Sequence, residues 1–236
     1  MSEPPKAPAV GQLAFDFPHL PSFADTDFLI APCNADAVAW IERWPEWPAT
    51  ALALVGPSGA GKTHLARIFE QRAEARVIAV DALAGLDPIA ILGDIRTAVI
   101  DDPEAVLADM RAAEGLFHLY NRLAAARGHL LITGRRPPAR WTIALPDLSS
   151  RLATAAVAEI ATPDDALLAS ILAKLFADRQ IRPSAEVVHY LLARVDRSAD
   201  ALARVVAALD RNALARGRAV SVPLASETLR ELGIAD

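Results

Sequence analysis

Gly56-Pro57-Ser58-Gly59-Ala60-Gly61-Lys62-Thr63 is the stretch on which the reading of this chain turns. It fits G-x-x-x-x-G-K-[ST] at every position. The apolar run Ala51–Val55 precedes it, and Leu65, Ile68 and Phe69 follow at helical spacing. A buried strand, a glycine loop and a helix in that order make a phosphate-binding loop. The glycines let backbone N–H groups curl around an anion, and the helix N-terminus adds positive potential. Lys62 can then reach the β- and γ-phosphates of a nucleotide, and the Thr63 hydroxyl can hold Mg2+.

Working outward, short apolar runs alternate with helical ones. Arg76–Val80, Thr97–Asp101, His129–Thr133 and Ala155–Ile160 read as further strands, and a helix with Leu116, Leu119, Tyr120 and Leu123 precedes the fourth. Strands alternating with helices predict an α/β fold, a mainly parallel sheet covered on both faces. The run Thr97-Ala98-Val99-Ile100-Asp101-Asp102 ends in two acids, which places carboxylates at the C-terminal edge of the sheet. Asp101 is expected to hold Mg2+ through water, and Asp102 to polarise an attacking water.

From residue 162 the strand pattern stops. Thr162-Pro163-Asp164-Asp165 reads as a helix start, with a capping hydroxyl, proline at the first position and acids in the first turn. Ser184 and Ser198 open two more helices, Gly217 closes the third, and a fourth is expected over Leu224–Leu232. The predicted organisation is a tail over residues 1–21, a P-loop α/β domain over 22–161 and a small helical domain over 162–236. Eight of the 17 prolines lie in residues 1–48, so the tail is expected to be extended. It carries one apolar island, Gln12-Leu13-Ala14-Phe15-Asp16-Phe17.

The chain has 236 residues with 24 basic and 29 acidic side chains, a net charge of −5. That balance argues against a basic surface whose main partner is DNA or RNA. A single cysteine, Cys33, excludes a disulfide framework and a cysteine-built zinc site. Cys33 is expected as a small buried hydrophobe, Trp40, Trp44 and Trp47 as core and edge packing, and His64 as packing under the loop. No apolar run reaches the roughly 18 residues of a membrane span, and no signal-peptide core opens the chain. A soluble cytoplasmic protein without a membrane partner is the expectation.

Several ordered motifs resemble the ATPase core of DnaA, the bacterial replication initiator of the AAA+ class. They are Gly61-Lys62-Thr63-His64-Leu65, Ile100-Asp101-Asp102 and Phe117-His118-Leu119-Tyr120-Asn121. Phe28-x-x-x-x-x-Asn34-x-x-Ala37 resembles the segment that opens that family's nucleotide pocket, which implies nucleotide contacts at Ile30 and Asn34 as well as at His64. Thr133-Gly134-Arg135-Arg136-Pro137-Pro138 resembles the sensor-1 turn, and Leu148-Ser149-Ser150-Arg151 the box that carries the arginine finger. Asp196-Arg197 falls on the sensor-2 arginine. The resemblance implies ADP or ATP with Mg2+ as ligands. It also implies Arg197 acting in cis from the lid, and Arg151 acting in trans on a nucleotide held by a neighbouring subunit.

The island at Gln12, Leu13, Phe15 and Phe17 resembles a sliding-clamp-binding peptide. A clamp peptide joined to a DnaA-like ATPase without the helix-turn-helix domain is the layout of the Hda-type regulatory inactivators of DnaA. That resemblance implies two partners, the DNA polymerase sliding clamp and DnaA, with DNA reached only indirectly through the clamp. It also implies stimulated hydrolysis of DnaA-bound ATP, which prevents re-initiation. A homodimer is one expected assembly. Arg135 stands where DnaA usually has an acid, so water positioning is expected to differ and this chain's own turnover to be weak. Ala82–Arg96 is short where DnaA places helices that hold single-stranded DNA, so that activity is not carried over. The other readings of the same core are a helicase loader and, more distantly, a P-loop kinase of a small metabolite.

Overall fold

Strand β1 (Ala51–Val55) is buried at all five positions, as an uninterrupted apolar run requires of a central strand. It pairs in parallel with β4 (His129–Gly134) on one side and β5 (Ala156–Glu159) on the other. Beyond β4 lies β3 (Thr97–Ile100), and β2 (Arg76–Val77) closes that edge. The order is therefore β2-β3-β4-β1-β5, all parallel. These features come from a computed structural model that describes residues 28–234; Gln12, Leu13, Phe15 and Phe17 lie outside the described residues.

Parallel strands need crossovers, and helices supply them. They are α2 (Lys62–Ala73) after β1, α3 (Pro88–Leu92) before β3, α4 (Met110–Ala125) before β4 and α5 (Pro146–Leu152) before β5. Helix α1 (Ala35–Glu42) precedes the sheet. Side chains along β1 alternate between two cores, as strand geometry demands. Ala51, Ala53 and Val55 face a cluster with Leu83, Leu116, Leu119 and Leu148. Leu52 and Leu54 face another with Ile41, Trp47, Leu65 and Phe69. Trp47 stacks on Phe69 with ring centroids 5.0 Å apart, and its Nε1 donates to the Trp40 carbonyl at 2.7 Å. The tryptophans are packing residues, as the sequence predicts.

Four helices follow the sheet: α6 (Asp165–Ala177), α7 (Ala185–Leu192), α8 (Ala199–Arg216) and α9 (Val222–Glu231). They close over a third core that includes Leu172, Phe176, Val187, Val206 and Leu229. Ser184 and Ser198 cap α7 and α8 as expected, and Gly217 ends α8 at φ 59°. The start of α6 differs from expectation. Asp164, not Thr162, is the cap, accepting from the Leu167 N–H at 2.8 Å, so Pro163 lies before the helix. Strand β2 is also shorter than predicted. Val77 is exposed at the sheet edge, and the chain turns into a single 3-10 segment at Val80–Gly85. No helix of the described residues is long and apolar enough to cross a membrane.

Gly115 marks the tightest contact of this framework. A Cβ there would overlap the Leu83 carbonyl oxygen, because α4 lies directly against Val80–Gly85. Alanine is the better helix former by about 1 kcal/mol. Overlap with fixed backbone costs about 1–3 kcal/mol and outweighs that gain. Gly115→Ala is therefore expected to lower stability in urea unfolding, the reverse of the effect at an open helical position.

Candidate functional site

The loop Gly56–Gly61 leaves the C-terminal end of β1 and runs straight into α2, so its backbone and the helix start face one cleft. The cleft holds about 550 Å3, within the usual range for a small-molecule site. One wall is the segment Phe28–Asn34. The opposite wall is the lid, through Leu167 and Ile171 of α6 and Ala199, Asp200 and Ala203 of α8. Gly59 has φ +75°, and a Cβ at that position would collide with the Ser198 side chain at the start of α8. The lid therefore rests on the tip of the loop, and only glycine fits there.

At the floor of the cleft the predicted groups converge. Lys62 Nζ donates to the carbonyls of Gly56 and Pro57 at 2.9 and 2.8 Å. Burial lowers its pKa from the ordinary 10.5, the carboxylates of Asp102 and Asp101 oppose that shift, and the charge of Arg135 adds to it. Thr63 Oγ1 donates to Asp101 Oδ2 at 2.9 Å. The other oxygen of Asp101 accepts from the Thr133 hydroxyl, which in turn accepts from the Asp102 N–H at 2.9 Å. Asp102 lines the cleft and has φ 52°, a left-handed backbone held by that bond.

These residues fit a small divalent ion. Thr63 Oγ1 and Asp101 Oδ2 are oxygen donors of the kind Mg2+ takes, and a hydrogen bond of 2.9 Å holds them side by side. No group of three or more His, Cys, Asp or Glu among the described residues could hold a metal. The ion would complete its shell with phosphate and water, as Mg2+ commonly does.

Other expected site residues are placed differently. Asn34 is buried and lines the cleft, but its amide is used locally. Its Oδ1 accepts from the Ala31 N–H at 2.8 Å, and its Nδ2 donates to the Leu29 carbonyl at 2.9 Å. It shapes the wall. Ile30 does not line the cleft. It packs on the Trp47–Phe69 core, while Phe28 and Leu29 face the cleft instead. His64 is not under the loop but exposed at the rim, edge-on to Phe28 at 5.3 Å. Cys33 is half-buried rather than buried, and desolvation, aided by Asp164, pushes its thiol up.

Arg197 also lies outside the cleft lining. Its Nε and one terminal nitrogen donate to the Pro163 carbonyl at 3.2 and 2.9 Å, and the other pairs with Asp165 at 2.6 Å. The late start of α6 is the reason, because it leaves that carbonyl free and sets Asp165 in the first turn. Arg151, in the last turn of α5, is exposed away from this cleft, with its guanidinium 5.1 Å from the Phe117 ring and 5.7 Å from Tyr120. Two further residues that line the cleft are Thr133, the penultimate residue of β4, and Arg135, the first residue after it. The likeness to the sensor-1 turn marks them in the sequence, and the strand order, with β4 between β3 and β1, brings them to the cleft.

Residues 165–229 match the family described as Hda, lid domain. The chain is similar to domain III of the Thermotoga maritima replication initiation protein DnaA. The identity is 22%, coverage is 89% of this chain and 95% of that one, and the TM-score is 0.74. It is similar to AMPPCP-bound DnaA from Aquifex aeolicus at 20% identity, covering 70% of this chain and 58% of that one, with TM-score 0.59. The Thermotoga maritima RuvB Holliday junction branch migration motor matches at 17% identity, covering 79% of this chain and 63% of that one, with TM-score 0.61. The chain thus spans nearly all of the isolated DnaA domain and about three-fifths of the longer chains. The fold is AAA+, a parallel sheet domain followed by a helical lid. The family match covers the lid, and the structural likeness shows the fold of the whole.

Thr133 is fully buried and holds both Asp101 and the Asp102 N–H. Replacing the hydroxyl by a methyl removes two hydrogen bonds, one of them to a charged group, which costs about 1–3 kcal/mol. Thr133→Val is expected to lose that much in urea unfolding, and Thr133→Ser to retain most of it.

Proposed function

We propose that this chain is a nucleotide-binding regulator of replication initiation that docks on the sliding clamp and stimulates hydrolysis of DnaA-bound ATP. The observation that carries the reading is a complete phosphate-loop floor, Lys62, Thr63 and Asp101, under a lid that matches the Hda family. The loop backbone and Lys62 bind the phosphates of ADP or ATP, and Lys62 exchanges its two carbonyl partners for phosphate oxygens. Phe28, Leu29 and Leu167 supply an apolar wall for the base. Mg2+, when bound, neutralises phosphate charge; Thr63 and Asp101 hold it, and Thr133 orients Asp101. Asp102 faces the cleft with its carboxylate available to polarise a water.

Arg151 has a separate role. An arginine that reaches phosphate in trans must be presented on a surface outside its own cleft. Arg151 is exposed and supported by two aromatic faces. In this reading it stabilises the charge that develops on ATP held by DnaA. Gln12, Leu13, Phe15 and Phe17 tether the chain to the clamp, DNA enters only through the clamp, and the protein works in the cytoplasm, alone or as a homodimer.

Three outcomes test this. Lys62→Ala is expected to weaken ADP and ATP binding by about tenfold to a hundredfold, the worth of a charge-assisted hydrogen bond, in calorimetric titration. Phosphate favours the protonated amine, so affinity holds at neutral pH and falls as pH rises through the Lys62 pKa of the free protein. That pKa lies below 10.5, so the loss begins at a lower pH than for an ordinary lysine. With DnaA carrying labelled ATP and clamp loaded on DNA, the protein is expected to accelerate ADP formation, and Arg151→Ala and Gln12→Ala to abolish that effect. A folded protein that binds a matched clamp and leaves the rate unchanged would sink the proposal.

A further inference from the structure

The edge of the sheet opposite the phosphate loop holds a second cleft, of about 510 Å3, within the usual range for a small-molecule site. One wall is the turn over residues 93–96, which leads from α3 into β3. The other is the end of α4 with the turn toward β4. Arg96 lines the cleft from the first wall, and Arg122 and Arg127 from the second. Backbone contacts fix this meeting. The His129 N–H donates to the Arg96 carbonyl at 2.8 Å, and a Cβ on Gly128 would overlap that same carbonyl oxygen.

Arginines at the end of a helix complement its dipole, and that accounts for only part of this cluster. Arg96 belongs to no helix. The last carbonyls of α4 are already taken by backbone: Ala126 N–H donates to Arg122 and Leu123, and Arg127 N–H to Ala124, each at 3.1 Å. Arg127 has φ 52°, a left-handed position after a helix where glycine is the favoured residue. The fold keeps an arginine there at a conformational cost that glycine avoids. All three arginines are exposed, and among the described residues no hydrogen bond or ion pair engages their guanidinium groups. Asp94, the one acid of the lining, pairs with none of them.

A guanidinium fork matches the oxygens of a phosphate. Three cations against one carboxylate leave a surplus that attracts a multiply charged anion. A small anion fits this site better than a nucleic acid. The cations converge on a concavity, whereas a DNA backbone is met by a stripe of them along a surface. The whole chain carries −5, which repels a long polyanion, while a short one held inside the cleft is governed by its nearest charges.

We propose that this cleft is a second anion site, built for a small molecule that carries two or more linked phosphates. It lies at the N-terminal edge of the sheet, so the inference stands apart from the reading of the nucleotide cleft.

The test titrates sodium tripolyphosphate in magnesium-free buffer into the full chain by calorimetry. The phosphate loop is a second target for this probe, so the titration is repeated on Lys62→Ala, where the far-edge binding is expected to persist. On that background Arg96→Ala and Arg127→Gly are each expected to weaken it about tenfold, the ratio for one charge-assisted hydrogen bond. Arg127→Gly is also expected to raise the melting temperature, because glycine relieves the left-handed position; binding lost from a more stable protein is not lost through unfolding. Arg182→Ala removes an exposed charge from the lid and is expected to leave the affinity unchanged. Loss of all binding in Lys62→Ala overturns the inference, as does full affinity in Arg96→Ala and Arg127→Gly, or an equal loss in Arg182→Ala. A short DNA duplex that binds through Arg96 and Arg127 where tripolyphosphate does not bind assigns the face to nucleic acid and overturns it too.

Discussion

The site depends on one hydroxyl–carboxylate bridge across the C-terminal edge of the sheet. Asp101 follows β3, Thr133 lies in β4, and Thr63 begins the helix that follows β1. The two threonines hold the two oxygens of one carboxylate, and the Thr133 hydroxyl also takes the Asp102 N–H. Three neighbouring chain segments are thereby registered to within hydrogen-bond tolerance. That registration is possible only because β4 stands between β3 and β1 in a parallel sheet, with all three C-terminal ends at the same edge. Insertion of β4 between β3 and β1 is what turns a loop, an acid and a hydroxyl into one cleft floor.

This dependence explains which parts of the site were legible in the sequence. Lys62 and Thr63 belong to a contiguous motif whose geometry is local, so the residue types alone specify them. Asp101 was legible because an apolar run ending in acids marks a strand end. Thr133 and Arg135 are marked only by their likeness to the sensor-1 turn, because their nearness to Lys62 is set by strand order, which periodicity does not encode. Ile30 and Phe28 show the same limit at smaller scale. Both lie in a segment with little regular structure, and only its path, fixed by the Asn34 amide, decides which of them faces the cleft.

The lid is legible as a bundle because its apolar positions recur at helical spacing and its serine caps are local. The two-residue shift of the first cap, from Thr162 to Asp164, has a distant effect. With Asp164 as cap, the Pro163 carbonyl stays outside the helix and Asp165 enters its first turn, and both engage Arg197. A boundary shift that changes no core residue thus ties an arginine to the joint between α6 and α8. Boundaries are where competing caps differ least in free energy, so their consequences for charged side chains are hard to read in advance.

Four arginines carry this point to its end. They have the same chemistry, and the sequence distinguishes them only by neighbourhood. Arg197 is satisfied by a carbonyl and a carboxylate, Arg136 by Glu104, and Arg151 by the faces of Phe117 and Tyr120. A guanidinium already given good acceptors gains little from phosphate, because it must surrender those bonds to make new ones. An arginine on aromatic faces keeps its N–H donors at the ring edges free for an incoming anion while its position is held. An arginine with no acceptor in a cleft that also holds Lys62 has the most to gain. Ranked by what each would give up, Arg135 is the least committed, Arg151 is held only by ring faces, and Arg197 and Arg136 are held by the fold.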